Sequence, residues 1–340
     1  MIPTLDLHAE PTALGKSLVE ACSEYGCFYL ENTGLDDTLA SKALDVSRQF
    51  FALPLEEKLK IDFQKSPHWR GYSGVGEEIT AGKRDMREQI DIGQELQSGY
   101  APEQPDYSVI RGPNQWPSEE MKQIITDYQD RMKNISNVLT AALDAALGSN
   151  IKESLGDIPY SRMKIVRYPS KAETESTFPN EVFGCGPHKD YMFWGFLLQE
   201  PGVCALQCQL NSGDWVDCPP IDGTLVCTLG EMLQVATDGV FKATTHRVQV
   251  PSLKSRISLN WFIGPDLDKV TEPVKMDLAP KFSNVKFDGR ADHLYAVAGK
   301  NYIKGMVRSH PGMVAHFHPE LYGKYGIAGE EHLHGIRGGK

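Results

Sequence analysis

Between residues 163 and 262 the chain breaks into short β-rich runs, and this pattern limits the fold more than any other feature. Segments 163–168, 193–199, 204–210, 224–229, 244–250 and 257–262 all have strand-like composition, with Pro, Gly, Asn or Asp turns between them. Strands at this spacing suggest a closed or sandwiched β architecture. The flanks read as helical. Apolar residues at helical spacing cover 14–25 and stop at Gly26, before the β-rich run 27–30. A second helix is predicted over 37–51. Pro117-Ser118-Glu119-Glu120 places proline and acids at a helix start. The helical pattern runs from there to about residue 147, with Ile124, Tyr128, Met132, Ile135, Val138, Leu139 and Leu143 as its apolar positions. The glycine-rich stretch 66–80 reads as a long loop. The expected class is mainly β with flanking α-helices. No Gly/Ser linker divides the chain, so one domain over 1–340 is expected: a mainly helical region 1–160, a β core 161–270, and a helix-and-loop region 271–340.

Composition excludes several classes. A hydrophobic content of 41% is enough for a substantial core. A formal charge of −10 argues against nucleic acid or an anionic membrane as partner. The sequence has no apolar run approaching the roughly 20 residues that cross a bilayer, and no basic start with an apolar h-region. The seven cysteines are odd in number and lack CxxC spacing. Reduced thiols and a cytoplasmic location are therefore expected.

The chemistry lies in His188-Lys189-Asp190, in His246 within Thr245-His246-Arg247-Val248, and in Arg256-Ile257-Ser258. Alternate strand residues share a face, so His188 and Asp190 can point at one metal while Lys189 points away. His246 would arrive from a neighbouring strand. Two imidazoles and a carboxylate suit iron, manganese or cobalt and leave coordination positions open, whereas closed zinc sites prefer thiolate. One HxD among ten histidines proves little alone. Its weight comes from the order of HxD, strands, HRV and RxS. Arg256 and Ser258 form a second i, i+2 pair, and a buried arginine needs an anion such as the far carboxylate of a dicarboxylic acid. His316/His318 and His332/His334 also have same-face spacing but lack a third ligand at a persuasive distance.

With these residues assembled, the chain resembles the isopenicillin N synthase-like, 2-oxoglutarate- and Fe(II)-dependent dioxygenases. Gly26-Cys27-Phe28-Tyr29, Arg70-Gly71-Tyr72, the HxD, HRV and RxS segments and Arg308-Ser309-His310-Pro311 carry the resemblance. It implies a double-stranded β-helix (jelly roll) core, Fe(II) on His188, Asp190 and His246, and 2-oxoglutarate held by Arg256, Ser258 and Tyr168, with O2 as the other cosubstrate. The loop Gly76-Glu77-Glu78-Ile79-Thr80-Ala81-Gly82 is similar to that of the bacterial ethylene-forming enzyme, which handles L-arginine beside 2-oxoglutarate. That likeness implies Glu78 and Thr80 facing a primary substrate, surrounded by Arg167, Tyr191, Phe262 and Arg308. The function it implies is oxidation of a C–H bond of a small molecule, an amino acid or a derivative, with release of succinate and CO2. Loops 68–90 and 170–186 are the expected lid. Two alternatives stay open: an oxidase that spends Arg256 and Ser258 on its substrate's own carboxylate, and a jelly roll that only binds. Oligomeric state is not legible.

Overall fold

The computed structural model describes residues 2–96, 103–180, 182–277 and 294–325. Its strands are, in chain order, β1 (Thr4–Asp6), β2 (Cys27–Glu31), β3 (Gly71–Ser73), β4 (Ile79–Thr80), β5 (Lys83–Arg84), β6 (Glu88–Gly93) and β7 (Tyr160–Tyr168). They continue with β8 (Phe183–His188), β9 (Trp194–Gln199), β10 (Leu206–Gln209), β11 (Trp215–Asp217), β12 (Leu225–Leu229), β13 (Thr245–Gln249) and β14 (Arg256–Gly264). Eight form a major sheet in the order β1-β2-β12-β9-β14-β7-β6-β3. A minor sheet of order β11-β10-β13-β8 and a β4–β5 hairpin complete the set.

The two larger sheets enclose one apolar cluster, in which Tyr168, Leu197 and Val226 meet Leu206, Cys208 and Val248. The other face of the major sheet packs under helices. There Met163, Ile165 and Trp261 join the larger core with Tyr128, Met132 and Leu139 of the helix Glu119–Leu147. Strand alternation thus decides the role of every residue on β7: even positions face the interior between the sheets, odd positions the helices. The long helix starts where its sequence says it should, with the Ser118 side chain accepting from Met121 N at 3.1 Å. Val138 is exposed, so the buried stripe runs through Ile135 and Leu139 instead.

The first 160 residues, expected to be mainly helical, also supply β1, β2, β3 and β6 to the major sheet. The segment expected as a long loop contains β3 and the start of the β4–β5 hairpin. β3 and β4 are two or three residues long, too short for period-2 alternation to stand out. Of the expected 170–186 lid, 171–174 is a helical turn and 183–186 belongs to β8. Residue 181 and the pair His332/His334 lie outside the described residues. All seven cysteines are free, and no described helix is long and apolar enough to cross a membrane.

Candidate active site

His188 ends β8, and His246 stands directly opposite it on β13. Asp190 is not on a strand, as the HxD spacing suggested, but in the loop that follows. Glu231 N holds its backbone by donating to the Asp190 carbonyl at 2.8 Å. His188 Nε2 lies 3.8 Å from Asp190 Oδ1, and His246 Nε2 3.6 Å from Asp190 Oδ2. Each residue offers one ligand atom, and all three atoms fall within 4.8 Å of one another. Among the described residues no other His/Cys/Asp/Glu group does so.

The backbone prepares these ligands. His188 Nδ1 faces the Gly186 carbonyl at 2.8 Å and His246 Nδ1 the Thr244 carbonyl at 3.2 Å. Donation from Nδ1–H in both rings leaves Nε2 as a lone-pair donor toward Asp190. Burial, with His188 alongside, pushes the His246 pKa down to about 4, so its ring is neutral near pH 7. Asp190 Oδ2 is buried with no hydrogen-bond partner among the described residues. Two imidazoles with Nε2 turned toward Asp190, and a carboxylate with an orphaned oxygen, fit a divalent iron.

Arg256 begins β14 and is fully buried, opposite Tyr168 of β7. One guanidinium nitrogen, Nη2, donates to Gln199 Oε1 at 2.8 Å, and the group sits 5.2 Å from the Tyr168 ring centroid. Its Nε and Nη1 have no hydrogen-bond partner among the described residues. Burial lowers the Arg256 pKa, partly offset by Tyr168, but leaves a cation with unspent donors. Ser258, also buried, follows on the same face. The donors that a second carboxylate needs are therefore present and unused.

A cavity of about 470 Å³ opens beside the three ligands. His188, Asp190, His246 and Tyr168 line it, as do Glu78, Thr80, Tyr191, Phe262 and Arg308. Arg256 and Ser258 are not among its wall residues; Arg256 lies behind Tyr168. Arg167 is not brought to the cavity at all. It occupies an odd position on β7 and pairs with Glu88 and Glu173. Arg87, Arg162, Lys164 and Asn260, which no sequence motif singles out, also line the cavity. Extending the alternation of Tyr168 backward and of Ser258 forward finds three of these four.

Glu78 sits in a buried ion network. Lys164 Nζ donates to its Oε1 at 2.5 Å, and Arg87 Nη2 is 2.8 Å from its Oε2. Burial alone would raise the Glu78 pKa, but Arg87 and Lys164 outweigh it and hold the carboxyl well below the usual range. Asp91 behaves likewise through Lys164 and Arg162. These acids are ionised at any physiological pH.

Comparison with known proteins identifies the class. Residues 160–265 match the 2OG-Fe(II) oxygenase superfamily. Residues 2–119 match the N-terminal region described for the non-haem dioxygenase in morphine synthesis. The 2-oxoglutarate-dependent dioxygenase frbJ of Dothideomycetidae sp. (strain 11243) is 35% identical over 338 residues, covering 91% of this chain and 90% of that protein. A homoarginine-6-hydroxylase of Glycine max is 34% identical over 297 residues, covering 85% and 89%. A full-length Neurospora crassa protein, solved in complex with alpha-KG and thymine, superposes with a TM-score of 0.70 at 23% identity, covering 89% of this chain and 96% of that one. The chain belongs to the 2OG-Fe(II) oxygenase superfamily. It is a jelly-roll, 2-oxoglutarate-dependent dioxygenase that uses Fe(II), 2-oxoglutarate and O2 on a small molecule. The oxidase without 2-oxoglutarate and the jelly roll that only binds are set aside.

Proposed function

We propose that His188, Asp190 and His246 hold the Fe(II), and that Arg256 and Ser258 grip the far carboxylate of 2-oxoglutarate against Tyr168. We further infer that the primary substrate is an amino acid with a cationic side chain. Glu78 and Thr80 receive the cation, and Arg308 receives the carboxylate. The observation that carries this is the presence of Glu78 and Arg308 on the walls of the cavity that also holds the three ligands. The homoarginine-6-hydroxylase relatives support the same substrate class.

Bound iron would supply the redox chemistry by which O2 and the keto acid yield succinate, CO2 and an oxidised C–H bond. The chain supplies positioning. The two imidazoles, fixed by the carbonyls of Gly186 and Thr244, and Asp190 on its loop set the direction in which reactants approach. Leu197, Leu206, Val248 and Phe262 give the cavity dry walls, which keep water from the reacting carbon. Orientation of this kind is a major part of what the protein contributes to rate.

Two measurements test the assignment. His188→Ala or Asp190→Ala abolishes Fe(II)-dependent succinate release with an unchanged circular dichroism spectrum; full turnover in either removes the ligand assignment. Arg256→Ala loses one side of a buried charge pair, expected to cost about 2–5 kcal/mol, so half-saturation by 2-oxoglutarate rises at least ~30-fold. An unchanged requirement refutes that role. Succinate release with L-homoarginine or L-arginine but not L-norleucine supports the substrate class.

A further inference from the structure

Asn260 is a buried polar residue that oxygen activation leaves without a task. It follows Arg256 and Ser258 at the same two-residue interval on β14, so all three face the interior. It is only 6% exposed and lines the cavity. Its Oδ1 has no hydrogen-bond partner among the described residues. An amide oxygen buried unpaired carries its full desolvation penalty, which a ligand donor would relieve.

The neighbours restrict what that donor is. On the flanking strands Asn260 is opposite Lys164 of β7 and Leu197 of β9. Leucine has nothing to donate, and Lys164 donates to Glu78 Oε1. The free acceptor therefore stands beside the residue pair that carries the Glu78 carboxylate. It is also roughly 7 Å along the strand from Ser258, away from the grip on the keto acid. The cations nearby, Lys164 and Arg162, are already paired with Glu78 and Asp91, so an anionic group here would meet an unpaired carbonyl oxygen with no free charge to answer it. A hydrocarbon would leave the oxygen unsatisfied.

We propose that Asn260 Oδ1 accepts an N–H from the primary substrate's cationic end. Glu78 and Asn260 then form one subsite that selects a planar, multi-donor guanidinium over a single-point ammonium. The proposal rests on the substrate class proposed above and adds its specificity residue. A guanidinium presents five N–H donors in a fixed plane and can serve both acceptors at once. An ammonium on the same four-carbon stem is a compact point charge and serves one well.

The test is titration calorimetry of the anaerobic protein loaded with Fe(II) and 2-oxoglutarate, with L-homoarginine and L-lysine as probes. Wild type binds L-homoarginine at least ~10-fold more tightly than L-lysine. Asn260→Leu loses ~10-fold or more in L-homoarginine affinity and most of the discrimination, with 2-oxoglutarate affinity unchanged. Asn260→Asp keeps the acceptor and removes the donor, so it binds L-homoarginine within a few-fold of wild type. Wild-type affinity in Asn260→Leu overturns the proposal while leaving the substrate class standing. Equal loss in Asn260→Asp and Asn260→Leu also overturns it, because it makes the side chain a donor. If Asn260→Leu fails to bind 2-oxoglutarate, the Asp variant alone decides. A wild type that binds neither amino acid removes the substrate class and this subsite together.

Discussion

His310 shows how much a single buried ring can commit a protein to one pH range. It stacks on Phe63 at 4.3 Å, its Nδ1 meets Ser309 Oγ at 2.8 Å, and its Nε2 stands 4.0 Å from Glu78 Oε1. Burial pushes its pKa down to about 4, although Glu78 pulls the other way. The unfolded chain, with an ordinary histidine near 6.5, therefore takes up its proton first as pH falls. The stability at stake is full above pH 6.5 and is lost between 6.5 and about 4, on the order of 3 kcal/mol for this ring. Urea midpoints of the metal-free protein should fall across that window. His310→Gln should flatten part of the slope, with His246 supplying another part. An identical slope in the variant would contradict the assignment. Sequence alone singles out His310 only as part of a motif; its neutrality depends on burial against Phe63 and on the Lys164 and Arg162 cations, which lie far from it along the chain.

At the scale of elements, β7 and β14 contribute six wall residues of the cavity and pair over nine residues from Arg256↔Tyr168 to Gly264↔Tyr160. One rule, period two, makes half of this legible. It names Arg256 and Ser258, and with Tyr168 and Phe262 supplied by the resemblance it reaches Asn260, Lys164 and Arg162. The same rule turns Arg167, an odd position, to the other face, against the expectation that it lies beside the substrate. Asp190 escapes the rule because β8 ends at His188, where Pro187 precedes it and the chain leaves the ladder. The helix Ala298–Ser309 closes the cavity from another side. Its Gly305 leaves room for the Tyr191 ring: a Cβ there would stand 2.6 Å from Tyr191 Cε2. Gly305→Ala should therefore push Tyr191 into the substrate space. We expect KM for the primary substrate to rise severalfold while 2-oxoglutarate affinity holds. Equal damage to both would place the defect in the sheet rather than the wall.

For the whole molecule, β7, β9, β10, β12, β13, β14 and the long helix were legible, the strands by their β-rich composition between turns and the helix by its period. The three-residue strands β1, β3 and β11 were not, since only the sheet they join makes them strands, and β6 and β8 were hidden by the charged, glycine and proline residues in them. The cavity's ion network was equally hidden: Glu78, Arg87, Asp91 and Lys164 come from three segments, and pairing across a fold leaves no local trace. The unspent donors of Arg256 have a consequence for the protein's survival. A buried cation short of partners costs several kcal/mol until an anion arrives. On the proposed assignment 2-oxoglutarate is that anion, and at a hundred times its Kd it stabilises the fold by about 2.7 kcal/mol. Thermal denaturation should shift upward by several degrees with 2-oxoglutarate, and the shift should vanish in Arg256→Ala. The lifetime of the folded chain then becomes a gauge of the keto-acid concentration around it, before any substrate is oxidised.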